Sequence, residues 1–120
     1  MAMAGAESPI FVRSYELLRW LIPLTLKFPR QQRFVLAAAI QQSALRLHER
    51  LIVARHSERD ALPAALAQVD VELDTLRHYL RLCHDLDLLT TGQFEHAAMS
   101  VTEIGRLLGG WRKSVAPTPK

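Results

Sequence analysis

Between residues 62 and 83, apolar side chains recur at spacings of four and three without a break: Leu62, Leu66, Val69, Leu73, Leu76, Leu80 and Cys83. On an α-helix these positions form one narrow seam that must be covered by other helices. A strand would scatter them over both of its faces. The same spacing returns in Ala97, Val101, Ile104, Leu108 and Trp111, and no stretch alternates with the period of two that a half-buried strand requires. The chain therefore reads as all-α.

Start and stop signals divide it into four helices. Ser8-Pro9 opens a first helix that runs to about Lys27, with Pro23 as an expected kink. The second is expected to begin at Pro29 within KFPRQQRFVL, anchored on either side by Phe28 and Phe34, and to run to about His56. Asp60 and Pro63 mark the third start. Thr90 and Gln93 form a capping box for the fourth, with Leu89 and Phe94 placed for a hydrophobic staple. Connections this short make successive helices antiparallel neighbours, so the expected architecture is an up-down-up-down four-helix bundle. It forms a single domain over 1–120, with an ordered core of about 9–113 and flexible ends at 1–8 and 114–120. Two helices carry more apolar surface than one core uses. Leu17, Leu18, Trp20, Leu21, Ile22, Leu24 and Leu26 surround the first, and the second places Val35 and Val53 nearly opposite Ile40 and Leu51. A homo-oligomer is expected.

Several function classes find no support. The longest charge-free run, 34–45, is far below the roughly 20 residues that a membrane span needs, and contains two glutamines. The first residues carry Glu7 and no basic region of the signal-peptide kind. The lone cysteine, Cys83, excludes an intrachain disulfide, lies on the apolar seam as a structural thiol, and suggests a reducing, cytoplasmic setting. No Glu-x-x-His pair of the di-metal bundles occurs, and His48 and His56, two turns apart, do not alone make a metal site. Without a Gly-rich phosphate loop or an activated serine, no catalytic residue, metal or cofactor is expected, and the chain does not read as an enzyme.

Charge is the informative feature. Residues 1–59 hold nine Lys/Arg against four Asp/Glu, a net +5; residues 60–120 hold six against eight, a net −2, which together give the chain's +3. Twelve of the fifteen cations are arginine, the side chain suited to bidentate recognition of phosphate or carboxylate. Arginines occur four apart, sharing a helix face, at Arg46 and Arg50, Arg55 and Arg59, and Arg77 and Arg81. Arg55 and Arg59 end the second helix, where the dipole favours cations. Arg46 and Arg50 lie beside Glu49 as a solvated stripe and a further candidate binding pair. Arg77 and Arg81 flank the seam, with Asp74 and Asp85 in reach. Arg30 and Arg33 sit where a helix start disfavours cations by about 0.3–1 kcal/mol, so an anion site for phosphate or an acidic loop is the reading that would offset the cost.

KFPRQQRFVL, LDTLRHYLRL and EIGRLLGGW together resemble the accessory variability determinant (Avd) proteins of diversity-generating retroelements, and the related four-helix proteins encoded by intervening sequences in bacterial 23S ribosomal RNA genes. The match covers about 14–113. The resemblance implies a four-helix bundle assembled as a homopentameric barrel, without catalysis of its own. The resemblance further implies binding of the retroelement's reverse transcriptase and of RNA or DNA, in support of mutagenic copying of template RNA into cDNA; strong sequence specificity is not expected, because nothing in the chain resembles a base-reading module. It implies that Arg30, Arg77 and Arg81 belong to the basic binding surface, and that five copies carry about +15, five times +3. Gly105 and Gly109, four apart, would leave a flat strip for close helix approach, and with Trp20, Pro23 and Trp111 they are the candidate packing and oligomer residues. Two other functions remain open: an intervening-sequence protein without a reverse transcriptase partner, and a helical adaptor whose arginines read acidic protein surfaces. The acidic stretch at 60–76 keeps basicity local.

Overall fold

The structure, a computed structural model, describes residues 8–116. Four long helices account for most of them: α1 (Pro9–Thr25), α2 (Ala38–Arg55), α3 (Leu62–Asp85) and α4 (Thr91–Val115), with no strand among the described residues. Each of α1 and α3 packs against both α2 and α4. Thr25–Gln41 and Ser14–His48 contacts run α1 antiparallel to α2. His84–Phe94 and Asp70–Arg112 do the same for α3 and α4, and Phe11–Trp111 with Trp20–His96 closes the ring. The result is an antiparallel four-helix bundle. The expected flexible ends lie partly at 1–7 and 117–120, outside the described residues; α4 itself continues to Val115.

The seam of α3 is the core. Leu66, Val69, Leu73, Leu76, Leu80 and Cys83 are all buried, as are Ala97, Val101, Ile104 and Leu108 of α4. Ile40 and Leu51 of α2 face inward, while Val35 and Val53 are exposed. At the start of α4, the Gln93 amide donates to Thr90 Oγ1 at 3.1 Å and the Thr90 amide to Gln93 Oε1 at 2.9 Å, completing the capping box. Leu89 just before it is buried. The α3–α4 turn closes with Asp87 in the left-handed region (φ 61°). There the Leu88 amide reaches Cys83 O and the Asp87 amide His84 O, satisfying carbonyls that α3 leaves unpaired at its end.

The entry to α2 departs from expectation. α1 stops at Thr25, two residues beyond the exposed Pro23, and the chain restarts as a single turn, Arg30–Gln32. It then passes through a π-helical turn, Arg33–Ala37, before α2 proper. A π turn adds one residue to the helical repeat and so rotates everything before it relative to the helix beyond. That rotation corrects one reading: Phe28 is buried, but Phe34 is 86% exposed and anchors nothing in the protomer. Ala37 takes the inward position instead.

Candidate nucleic-acid interface

The arginines separate by what their guanidinium groups touch. Arg33 Nε donates to Phe28 O at 3.1 Å, tying the π turn to the loop before it. Arg30, exposed in the preceding turn, has no ion-pair partner among the described residues. The two arginines of KFPRQQRFVL therefore have different occupations.

Arg46 and Arg50 are not a solvated stripe. Both Nε groups donate to one oxygen of Glu72, at 3.2 and 3.3 Å, while Ser43 Oγ donates to the other at 2.8 Å. Glu72 is buried, with a side chain only 7% exposed, and the two arginines cover it from α2 with side chains 44% and 38% exposed. A buried carboxylate is tolerable only when its lone pairs are met, and this one is met by three donors from a neighbouring helix. The physical reason for the departure is register: Glu72 lies three residues after Val69 and four before Leu76, on the buried side of α3.

Arg77 and Arg81 stand on the opposite flank of α3, toward α4. Arg77 NH1 pairs with Asp74 at 3.3 Å, an exposed contact that holds the side chain weakly. Arg81 has no partner among the described residues; Asp85 instead lies 4.0 Å from His84. Arg77, His78, Arg81 and Phe94 line one cleft between α3 and the start of α4. Phe94 is stacked on His84, with centroids 4.5 Å apart and planes 11° from parallel. The capping pattern placed Phe94 for a staple, and no sequence pattern assigned a role to His78 or His84; their convergence depends on the register of α3 against α4.

The packing candidates also divide. Trp20 is half-buried against His96 at 4.4 Å, and Trp111 lies 6.3 Å from Phe11, so both contribute to the closure of α1 on α4. A side chain at Gly105 would meet Leu73 at 3.5 Å and Arg77 at 3.7 Å, whereas Gly109 has open space around it. Gly105 thus serves the α3–α4 contact, and Gly109 faces outward. Pro23 is exposed.

Other chemistry is sparse. Cys83 is fully buried, and burial pushes its thiol from an ordinary value of 9.0 to about 11. Arg55 lies over the Phe11 ring, 4.2 Å from its centre. On α4, Arg106 grips Glu103 through two hydrogen bonds of 2.9 and 2.7 Å, and this holds the Glu103 carboxyl below its usual range. No group of three or more metal-binding side chains occurs among the described residues, and no helix is long and apolar enough to cross a membrane.

No curated protein matches the chain. A family model described as bAvd-like matches residues 10–115, from the first turn of α1 to the last of α4, and the chain belongs to this Avd family.

Proposed function

We propose that this protein is a non-catalytic accessory factor of a diversity-generating retroelement, assembling as a homopentamer that binds the reverse transcriptase and the RNA or cDNA it handles. Family membership supplies the accessory role. The observation that carries the binding reading is the α3 pair Arg77 and Arg81. It lies beside a cleft, with one guanidinium held only by an exposed ion pair and the other without a partner among the described residues. Arg81, with no carboxylate on it among the described residues, keeps its charge available for phosphate, and the solvent-screened Asp74 contact holds Arg77 back only weakly. Repetition over five copies would raise the local cation density without requiring base recognition, since phosphate contacts carry no sequence information. Exposed Phe34, Val35 and Val53 supply apolar surface for contacts between copies.

Retention of RNA by the wild type should fall steeply with salt and be lost in an Arg77→Ala, Arg81→Ala variant of unchanged mass. Unchanged retention in that variant would remove the pair from the binding surface. A light-scattering mass near 13.6 kDa would end the pentamer.

A further inference from the structure

The cleft at Arg77 and Arg81 contains something that a plain phosphate-binding surface does not need: an immobilised aromatic ring. Phe94 is fixed three ways. His84 covers it by parallel stacking, its body packs on the core, and its backbone lies in the first turn of α4, where the Thr90–Gln93 capping box holds the chain. Phe94 lines the cleft together with His78. His78 is also held, its Nδ1 hydrogen-bonded to Asp74 O at 2.9 Å.

A duplex offers phosphates to such a cleft but keeps its bases stacked on one another. A single strand offers both a phosphate and a free π-face in each unit, the combination that an aromatic ring flanked by guanidinium groups recognises. We propose that this cleft seats one unpaired nucleotide of single-stranded nucleic acid, its base against Phe94 and its phosphate on Arg81 and Arg77. The proposal rests on the nucleic-acid reading above and adds a preference for single strands to it. An acidic protein segment would use the arginines but gain nothing from the ring.

The test compares a short oligoadenylate with the same strand annealed to its complement, on the full chain. Phe94→Leu should weaken the single strand about fivefold or more, the scale of one lost base–aromatic stack, and leave duplex affinity and the salt dependence unchanged. Phe94→Trp should restore single-strand binding and show emission quenched by oligoadenylate beyond any change in the wild type. Equal losses on both probes, or none, would overturn the inference, as would Phe94→Trp emission that oligoadenylate leaves unchanged. The tryptophan readout holds even where Phe94→Leu unfolds. Competition by a polyglutamate peptide as effective as oligoadenylate, and indifferent to Phe94→Leu, would also overturn it, in favour of a protein ligand. Wild-type protein that binds neither nucleic-acid probe would instead refute the broader function.

Discussion

The Glu72 carboxylate makes a quantitative prediction, because its two arginine partners are redundant. Both Nε groups reach the same oxygen, and Ser43 holds the other. A hydrogen bond to a charged group contributes roughly 1.5–3 kcal/mol when well desolvated. Both guanidinium groups are more than a third exposed, at 44% and 38%, so each contact is discounted for solvent screening to about 0.5–1 kcal/mol. Arg46→Met or Arg50→Met alone should therefore destabilise the fold by only about 0.5 kcal/mol, since the other arginine still meets the oxygen. The double variant leaves a carboxylate that is 7% exposed with Ser43 as its one donor, and should cost about 3 kcal/mol, the low end for an uncompensated buried charge. Coupling of roughly 2 kcal/mol between the two substitutions follows.

Adding Glu72→Met to the double variant removes the stranded charge and should recover most of the loss, because an apolar side chain of similar volume is tolerated where an ion cluster was. Urea unfolding followed by helical circular dichroism, at one fixed protomer concentration, measures all five proteins. Losses that add within about 0.5 kcal/mol, or a triple variant no more stable than the double, would refute the reasoning.

The Cys83 thiol is raised in the fold, so it is the neutral form that folding favours. Its contribution is fully present below the ordinary pKa of 9.0 and fades as pH climbs toward about 11; stability should decline across that window, and a Cys83→Ala variant should lack this component. For the same reason thiol reagents at neutral pH should label Cys83 only at the rate of opening, which labelling with and without urea would measure. Gly109→Ala has no neighbour to strike and should stabilise the protomer by about 0.5–1 kcal/mol through helix propensity. If copies pack closely at the outward-facing Gly109, the same variant should lose assembled mass in light scattering.

The seam of α3 was legible because burial on a helix follows its repeat, and residues from Leu66 to Cys83 needed no partner to be identified. The Thr90 capping box was legible because its chemistry is local. Glu72 was within reach too: residues three and four away from core positions share their face, and Ser43, three after Ile40 and four before Leu47, shows the same relation on α2. Two polar residues on facing seams indicate a buried hydrogen bond. The π turn at Arg33–Ala37 had no such mark, since it is a shift of hydrogen bonding rather than of residue type, and the outward position of Phe34 was hidden with it. The cleft at Phe94 was illegible for a different reason: it joins residues on two helices, and only their relative register brings them together.

Arg30 and Arg33 bring the register of one segment and its electrostatics to a single test. Both lie where a rod of aligned peptides begins, and there a cation costs about 0.3–1 kcal/mol. Arg33 has a local compensation, because its Nε satisfies Phe28 O at 3.1 Å, and a hydrogen bond of that kind contributes about 0.5–1.5 kcal/mol. Arg30 has no partner among the described residues and thus no such compensation. The two should respond in opposite directions: Arg33→Gln should destabilise the protomer, and Arg30→Glu should stabilise it by replacing a disfavoured charge with a favoured one. If the exposed Arg30 is retained for a polyanion, Arg30→Glu should at the same time weaken RNA retention and flatten its salt dependence. A stabilised variant with unaltered retention would leave Arg30 without a binding role, and a destabilised one would refute the dipole argument for this helix start.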